Sequence, residues 1–333
     1  MFRAQLSQFF PPKPAFTEAD VPSQDAKVFI VTGGSSGIGL ELSKILYQKD
    51  GRVYIAGRSE SKVRQAIQEI RDVTPASLGS LEYLHLDLAD LSTIKRAVDD
   101  FKARESRLHV LWNNAGVSQP PLGSVSEQGI ELQLATNCLG PFLFTYLLLP
   151  LLKSTAAAEA TKDSSSVRVI WTASQMIELS APKEGIVMSE LRTPTKDTTR
   201  NYVNSKTGNL FLATELARRQ QPHEPVIISA SLNPGAASTS LFRHTPMMRY
   251  LAWPLLHSAK LAALTQLYAG LSGDITIEKN GCYLVPWGRI AGASGNAGLR
   301  KDLVDATKAV EDGGTGKAAE FWDWCVDNIK EFQ

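Results

Sequence analysis

A tyrosine and a lysine four residues apart, Tyr202 and Lys206, are the pair in this sequence best suited to acid–base chemistry. On a helix, side chains at positions i and i+4 share one face, so the phenol and the ammonium would be neighbours. A phenol ordinarily has a pKa of about 10, and a nearby positive charge favours the phenolate and lowers that pKa. We therefore expect Tyr202 to exchange a proton with a substrate. Alone, the spacing also fits a solvated helix face.

A glycine-rich segment after the first apolar run predicts a site for a dinucleotide. Glycines permit a tight turn and a close approach of the backbone to a pyrophosphate, and the N-terminus of the next helix supplies free N–H groups. The spacing Gly-x-x-x-Gly-x-Gly differs from the Gly-x-Gly-x-x-Gly of other dinucleotide-binding proteins, and a connection without a ligand is the alternative. The residues are Gly33, Ser35, Ser36, Gly37, Ile38 and Gly39.

The end of the second predicted strand favours NADP(H) over NAD(H). An acidic residue there would bind the ribose 2′-hydroxyl, but the sequence has Gly57 and then Arg58. Arg58 can form charge-assisted hydrogen bonds to a 2′-phosphate, Ser59 can add a hydroxyl, and Lys62 is one helical turn further on. An ordinary surface arginine is the alternative interpretation of Arg58.

Four further residues complete the predicted site. Asp87 and Leu88 follow the third predicted strand, where the carboxylate can accept from the adenine amino group or cap a loop. Ser174, just past a buried strand, can hold the substrate oxygen by a hydrogen bond. Asn137 can hold a water that connects Lys206 to solvent.

The elements that must position these residues alternate between strands and helices. Apolar runs predict strands at 26–32, 52–56, 81–86, 108–112, 167–172, 226–232 and 281–285. Helical spacing predicts helices at 37–48, 59–70, 92–103, 127–152 and 201–220. This alternation predicts an α/β fold, a single-domain Rossmann-type doubly wound parallel sheet of about seven strands. Residues 1–25 are predicted to be an irregular tail packed by its aromatic side chains, and 154–166 and 175–200 to be surface insertions. Residues 26–333 then form one NADP-binding domain.

Together these motifs resemble those of the short-chain dehydrogenase/reductase family, from about Ala26 to Val285. The resemblance implies a catalytic tetrad of Asn137, Ser174, Tyr202 and Lys206. It also implies cofactor contacts at the glycine-rich turn, at Lys206 with the nicotinamide ribose, and at Asn114, Ala115, Gly116, Pro234, Gly235 and Thr239. The long segment between Ser174 and Tyr202 resembles the retinol-dehydrogenase-like branch. In similar enzymes the helices after Asn137 and Tyr202 form a dimer surface, so a homodimer is possible.

A lobe at about 236–276 is rich in large apolar side chains. It predicts either a pocket for a lipophilic substrate or simple packing onto the sheet. Its apolar residues are Leu241, Phe242, Met247, Met248, Tyr250, Leu251, Trp253, Leu255 and Leu256. His244 and His257 receive no role. The aromatic residues near the C-terminus predict a helix that docks on the body; they are Trp322, Trp324 and Phe332.

Composition excludes several other classes of protein. The formal net charge is +1, so no field attracts nucleic acid or an anionic membrane. The three cysteines lack metal-ligand spacing, which predicts reduced thiols in a cytoplasmic protein and no metal site. The apolar run at 147–152 is too short to span a bilayer, and the N-terminus has no continuous apolar stretch of the kind a signal peptide needs.

We therefore predict an NADPH-dependent oxidoreductase that transfers hydride between the nicotinamide and a carbonyl or alcohol of a lipophilic or ring-bearing substrate. An NADP-binding sensor or scaffold on the same fold is the alternative, although a sensor has no use for a Tyr–Lys pair. A dehydratase or epimerase is a third interpretation, which an assay for net redox change would separate.

Overall fold

One sheet of eight strands runs through the protein. The computed structural model describes residues 2–159, 167–221, 225–239, 241, 244–245, 247, 250, 253–292 and 298–333. The strands are β1 (Val28–Thr32), β2 (Arg52–Gly57), β3 (Ser80–His85), β4 (Val110–Asn113), β5 (Arg168–Thr172), β6 (Ile228–Leu232), β7 (Tyr283–Val285) and β8 (Arg289–Ile290). Their order in the sheet is β3-β2-β1-β4-β5-β6-β7-β8. The first seven are parallel and β8 is antiparallel to β7, which confirms the α/β Rossmann-type prediction and adds a short eighth strand.

Helices cover both faces of the sheet. They are α1 (Phe2–Phe9), α2 (Gly37–Gln48), α3 (Glu60–Val73), α4 (Leu91–Lys102), α5 (Leu132–Leu134), α6 (Gly140–Glu159), α7 (Met176–Ser180), α8 (Ser189–Arg192), α9 (Thr198–Arg218), α10 (Ala259–Leu271), α11 (Lys301–Thr307) and α12 (Lys317–Ile329). Single 3₁₀ turns lie at Glu18–Asp20, Trp253–Leu255, Ile277–Lys279 and Lys330–Phe332. The chain thus has helical pieces inside the segment 175–200, which the sequence pattern had predicted to be irregular.

The central strands are apolar because both faces are buried. All five residues of β1, β5 and β6 are buried, as expected for parallel strands that have helices on both sides. One apolar cluster lies on each face of the sheet. Strand order reverses between β1 and β4, and in such sheets ligands bind beyond the carboxyl ends of the strands at this point.

The N-terminal segment differs from the irregular tail that the sequence pattern predicted. Residues 2–9 form helix α1. Phe16 does pack on the body, edge-on to Tyr268 with ring centroids 5.6 Å apart, whereas Phe10 is exposed. An isolated helix of this length is only marginally stable in water, so contacts with the rest of the protein must hold it.

The C-terminal helix α12 packs against α9 and the start of α6, as its aromatic residues predicted. The rings of Phe321 and Phe211 are 6.2 Å apart, and those of Trp322 and Phe142 are 4.8 Å apart. A Cβ atom on Gly208 would lie 2.7 Å from Cζ of Phe321, so only glycine admits this approach. Trp322 thus covers the ring of Phe142 within one chain, and the homodimer stays a prediction.

One stretch among the described residues, Leu132–Glu159, is long and apolar enough to cross a membrane by length and composition. Of its most apolar window, 67% is buried inside the protein. Core helices of globular proteins have the same composition, so this stretch is weak support for a membrane span.

Candidate active site

Helix α9 carries the predicted proton donor. Asp197 caps its first turn by accepting from the backbone N–H groups of Thr199 and Arg200. One turn later, Tyr202 and Lys206 are both buried, on the face that meets β5 and β6. The side chain of Ser174, which follows β5, lies close to the Tyr202 hydroxyl and lowers the pKa of that phenol. The structure therefore brings two members of the predicted tetrad together.

The pKa of Tyr202 shifts in the direction opposite to the one expected from the sequence. Burial raises the pKa of Tyr202 to about 12, and the hydrogen bond from Ser174 opposes that rise. Lys206 does not counter it, because its Nζ atom is 5.8 Å from the centroid of the Tyr202 ring and donates to the backbone oxygen of Thr172 at 2.9 Å. Burial also lowers the pKa of Lys206 to about 8. Tyr202 is therefore a neutral phenol near pH 7, suited to giving a proton away.

Asn137 lies in a single turn of π-helix, Ala135–Leu139, between α5 and α6. Such turns are rare and occur often at functional sites. Its Oδ1 accepts from the N–H of Val117 at 2.8 Å, and its Nδ2 donates to the oxygen of Val117 and to Oγ of Ser205, both at 2.9 Å. The side chain thus joins the strand β4 segment to α9, and the predicted role in holding a water stays a prediction.

Gly116 brings Asn137 and Lys206 together. A Cβ atom on Gly116 would lie 3.1 Å from Oδ1 of Asn137 and 3.3 Å from Nζ of Lys206. These contacts are tight, so the absence of a side chain here leaves room for both groups.

The glycine-rich turn after β1 has the shape of a phosphate cradle. Gly33 and Gly37 have φ angles of +66° and +56°, which favour glycine. A Cβ on Gly39 would come within 2.5 Å of the Gly33 oxygen. Ser36 occupies the N-cap position of α2 without making a side-chain cap, while Ser35 and Ile38 are half-buried beside it. The turn thus fits the pyrophosphate of a dinucleotide at the positive end of α2.

Thr32, the last residue of β1, joins this turn to the segment after β4. Its Oγ1 accepts from the N–H groups of Asn114 at 3.0 Å and Ala115 at 2.9 Å, and donates to the oxygen of Trp112 at 3.2 Å. The Nδ2 atom of Asn114 donates to the Thr32 oxygen at 2.9 Å. Asn114 therefore braces the two central strands, and Ala115 packs against Gly33.

The residues predicted to bind the 2′-phosphate lie where β2 ends and α3 begins. Arg58 and Lys62 are exposed, and neither makes a hydrogen bond or ion pair with the residues that the structure describes. The hydroxyl of Ser59 lies 3.2 Å from that of Ser61. The positively charged side chains of Arg58 and Lys62, beside the carboxyl end of β2, are therefore available to an anionic ligand.

Asp87 and Leu88 have different environments after β3. Oδ1 of Asp87 accepts from the N–H of Ala89 at 2.9 Å, so this carboxylate caps a local turn. Leu88 is buried, and its backbone oxygen would lie 2.4 Å from a Cβ on Gly140 at the start of α6. In the structure Asp87 caps a local turn, as the alternative interpretation predicted. Its contact with adenine stays a prediction.

The segment after β6 packs against the glycine-rich turn. Oδ1 of Asn233 accepts from the N–H of Gly235 at 2.9 Å, around Pro234. Thr239 would lie 3.2 Å from a Cβ on Gly37. The structure therefore brings the predicted nicotinamide segment and the predicted phosphate turn to the same edge of the sheet.

The family model described as short chain dehydrogenase matches residues 27–249, about two thirds of the sequence. The chain belongs to the short-chain dehydrogenase family. This short-chain dehydrogenase is therefore an oxidoreductase that uses a nicotinamide cofactor. It is 44% identical over 330 residues to the short-chain dehydrogenase/reductase iacJ of Pestalotiopsis fici, covering 97% of both chains. It is 42% identical over 322 residues to the short-chain dehydrogenase/reductase pkfC of Emericella nidulans, covering 96% of this chain and 97% of that protein.

Solved structures agree with the fold of this short-chain dehydrogenase. An uncharacterized protein from Mycobacterium paratuberculosis has a TM-score of 0.68 at 25% identity, with 95% of this chain and 97% of that chain covered. An NADP active-site complex of Pseudomonas aeruginosa RhlG has a TM-score of 0.60 at 21% identity, with 79% and 95% covered. The second likeness supports the fold alone.

Several residues that hold the site of this short-chain dehydrogenase were missed by the sequence reasoning. The Thr172 oxygen accepts from both Lys206 and Asn209, each at 2.9 Å. Gln266 of α10 donates to the hydroxyl of Thr172 at 2.8 Å and to Oδ1 of Asn114 at 3.3 Å. A buried glutamine within an otherwise apolar helix is the one sequence signal that points to such a bond.

The lobe is only partly covered by the structure. Phe242, Met248 and Leu251 lie outside the described residues. Met247, Tyr250 and Trp253 are exposed, and Leu241, Leu255 and Leu256 are half-buried. Within the lobe, the ring of His257 packs against that of Trp287, with the two ring centroids 4.9 Å apart.

Proposed function

We propose that this protein is an NADPH-dependent reductase of carbonyl groups, or an alcohol dehydrogenase in the reverse direction, with Tyr202 as the proton donor or acceptor. The observation that carries the proposal is the meeting of the Ser174 side chain with the buried Tyr202 phenol, with Nζ of Lys206 5.8 Å from the centroid of the Tyr202 ring. Two hydroxyl groups that meet in this way can hold one substrate oxygen between them. An NADP-binding sensor would have no use for such a pair.

The residues present fit a bound nicotinamide dinucleotide. The glycine-rich turn would hold the pyrophosphate, and Lys206 would hold the nicotinamide ribose. The dinucleotide, when bound, supplies or accepts the hydride. Gly235 has a φ angle of +88° and lies against Pro286, which keeps the turn after β6 close to β7. A side chain at this position would be strained, so the turn favours glycine here.

The source of the transferred proton follows from the protonation state of Tyr202. Because burial raises the pKa of Tyr202 to about 12, the group is a phenol near neutral pH and can protonate an oxygen that gains negative charge. Ser174 donates a second hydrogen bond to that oxygen. Lys206 contributes positive charge where negative charge develops.

The preference for NADP(H) rests on Arg58. No carboxylate stands at the end of β2, and Arg58 and Lys62 are exposed there without protein partners among the described residues. The apolar lobe and the small net charge favour a lipophilic or ring-bearing substrate, and we place the enzyme in the cytoplasm.

The test combines a substrate panel with one conservative variant. NADPH absorbance is followed with ketones, aldehydes and quinones of increasing apolar size, for the wild type and for Tyr202→Phe. Turnover should fall by about 10²–10⁴-fold in Tyr202→Phe, while NADPH affinity stays near that of the wild type. Tyr47→Phe is the matched control, because Tyr47 is also buried, on α2, and it should lose no turnover.

Two outcomes would contradict the proposal. A Tyr202→Phe variant that keeps most of its turnover would exclude Tyr202 as the proton donor. A wild type that binds NADPH yet reduces no member of the panel would favour the sensor instead.

A further inference from the structure

Helix α1 enters the active site through one buried side chain, Gln8. This side chain is 0% exposed. Its Nε2 lies 3.0 and 3.2 Å from the two carboxylate oxygens of Glu178, and its Oε1 accepts from Nδ2 of Asn233 at 2.9 Å. Glu178 is four residues after Ser174, and Asn233 directly follows β6. A residue of the N-terminal helix therefore bridges the two segments that flank the predicted substrate position.

The hydrogen bonds in this bridge can run in only one direction. A carboxylate accepts and cannot donate, so the amino group of Gln8 must face Glu178. The carbonyl of Gln8 then faces the amino group of Asn233, which leaves Oδ1 of Asn233 to accept from the N–H of Gly235. Four groups thus form one directed chain of hydrogen bonds from the turn after β6 to the α7 segment. Each bond in such a chain polarises the next.

This chain of hydrogen bonds is tied to Ser174 at one end and to β7 at the other. The backbone oxygen of Ser174 accepts from the N–H of Ile177 in α7, and Oγ of Ser174 accepts from the N–H of Met176 at 3.2 Å. A shift of α7 would therefore move the hydroxyl that meets Tyr202. At the other end, the N–H of Asn233 donates to Leu284 of β7 at 2.8 Å. The chain fixes the separation between the Ser174 segment and the predicted nicotinamide turn.

Helix α1 is anchored so that Gln8 can hold this position. Nη2 of Arg289 donates to the backbone oxygen of Ser7 at 2.7 Å, and Nε2 of His257 lies 2.8 Å from the oxygen of Phe9. These carbonyl groups lie in the last turn of α1, where an N–H donor from outside the helix is stabilising. A helix of eight residues cannot stand alone, so its formation is coupled to the site.

We propose that Gln8 is a positioning residue of the active site: through its amide, helix α1 holds the Ser174 segment and the Asn233–Gly235 turn at the separation that the reaction needs. The kinetic consequence rests on the proposed reductase function, whereas the structural consequence does not. Misplacement of a reacting group by about 1 Å costs on the order of 10²-fold in rate. We expect Gln8→Ala to lower kcat by about ten-fold to hundred-fold and to leave NADPH affinity near that of the wild type.

A second variant, Gln8→Glu, gives a signature that loss of packing cannot imitate. Its protonated carboxyl can donate to Glu178 and accept from Asn233, as the amide does. Burial and the neighbouring carboxylate raise the pKa of the new carboxyl, so the chain survives at low pH and breaks when the proton leaves. The ratio of kcat/KM for Gln8→Glu to that of the wild type should approach one near about pH 5.5 and fall by about ten-fold or more near about pH 8.5.

The other charged and titratable groups around Gln8 and Glu178 do not change the ratio of kcat/KM with pH. Arg300 and Tyr283 face Glu178, and Arg289 and His257 hold α1. The two arginines stay charged across this range, and burial holds the pKa of Tyr283 well above its ordinary value. His257 is the same in the wild type and in the variant, so its contribution cancels in the ratio.

The matched control is another glutamine that binds a carboxylate. Nε2 of Gln68 donates to Asp72 at 2.7 Å on the exposed face of α3. Gln68→Ala and Gln68→Glu should leave kcat and its pH profile unchanged. Hydrogen exchange followed by mass spectrometry adds a readout that needs no turnover: residues 174–180 and 233–239 should exchange faster in Gln8→Ala than in the wild type or in Gln68→Ala.

The proposal is overturned if the Gln8 variants match their Gln68 controls in kinetics and exchange. It is also overturned if Gln8→Glu loses activity by the same factor at every pH while exchange rises throughout the domain, because that result is general destabilisation. If the wild type reduces no carbonyl substrate, the proposed function fails, yet local exchange in 174–180 and 233–239 still decides the role of Gln8. Thermal unfolding of each variant confirms that the compared proteins are folded.

Discussion

Replacing Thr32 by valine should destabilise the protein far more than replacing it by serine. Valine keeps the shape of threonine and loses the hydroxyl, whereas serine keeps the hydroxyl and loses one methyl group. The Thr32 hydroxyl lies in a fully buried residue and receives two backbone N–H groups, those of Asn114 and Ala115, while it donates to Trp112. The two variants therefore separate hydrogen bonding from packing at one position.

The size of the effect follows from these three bonds. Thr32→Val leaves two N–H donors and one carbonyl without this partner, and a buried donor that loses its partner costs about 1–3 kcal/mol. Asn114 and Ala115 are only half-buried, so water can partly replace the hydroxyl and the lower end applies. We expect the free energy of unfolding to fall by about 2–3 kcal/mol. Thr32→Ser loses one buried methyl group, worth about 1 kcal/mol.

Urea denaturation of both variants and the wild type, followed by circular dichroism, measures these differences. A second measurement is the affinity for NADPH, which should fall in Thr32→Val because Asn114 and Ala115 line the predicted cofactor site. The reasoning is refuted if Thr32→Val is as stable as Thr32→Ser, or more so. Such a result would show that the segment after β4 finds other partners for its amides.

Three further perturbations test the cofactor site and the buried lysine. Arg58→Ala should weaken NADPH binding by about ten- to hundred-fold and leave NADH binding unchanged in fluorescence titrations, since one charge-assisted hydrogen bond contributes roughly 1.5–3 kcal/mol; a wild type that prefers NADH would contradict the assignment. Burial lowers the pKa of Lys206 to about 8, so kcat/KM for carbonyl reduction should fall as the pH rises through about 8 and the ammonium loses its proton. Lys206→Arg should remove that limb, because a guanidinium stays charged; a limb that persists belongs to another group. Gly116→Ala should lower both kcat/KM and the free energy of unfolding, the latter by about 1–3 kcal/mol, because its methyl group would crowd Asn137 and Lys206; unchanged activity with reduced stability would show that the crowding does not reach the catalytic groups.

The sequence predicts the central sheet well because its strands are short apolar runs between glycines and helical patterns. It predicts β8 poorly. That strand has two residues, Arg289 and Ile290, and its pairing with β7 is set by the turn between them. Helix α1 was missed for a related reason: eight residues carry little helical signal, and its anchors, Arg289 and His257, are more than 240 residues away in the chain.

The residues of the site could be predicted from the sequence, whereas the shift in the pKa of Tyr202 could not. Spacing alone places Tyr202 and Lys206 on one face of α9, and the structure agrees. Spacing does not reveal that both are buried, and desolvation of Tyr202 outweighs any effect of the ammonium on its pKa. The carbonyl of Thr172, which receives the Lys206 ammonium, carries no sequence signal, because every residue has a backbone oxygen.

The packing of α12 on α9 has a consequence for the nascent chain. Helix α9 ends at Arg218 and its cover begins at Lys317, so at the roughly 5–20 residues per second of translation the cover follows about 5–20 s later. During that interval Phe211 lacks its ring contact with Phe321, and the part of α9 that α12 covers stays open. A ribosome that stalls before Lys317 therefore leaves a chain in which α9 lacks its C-terminal cover.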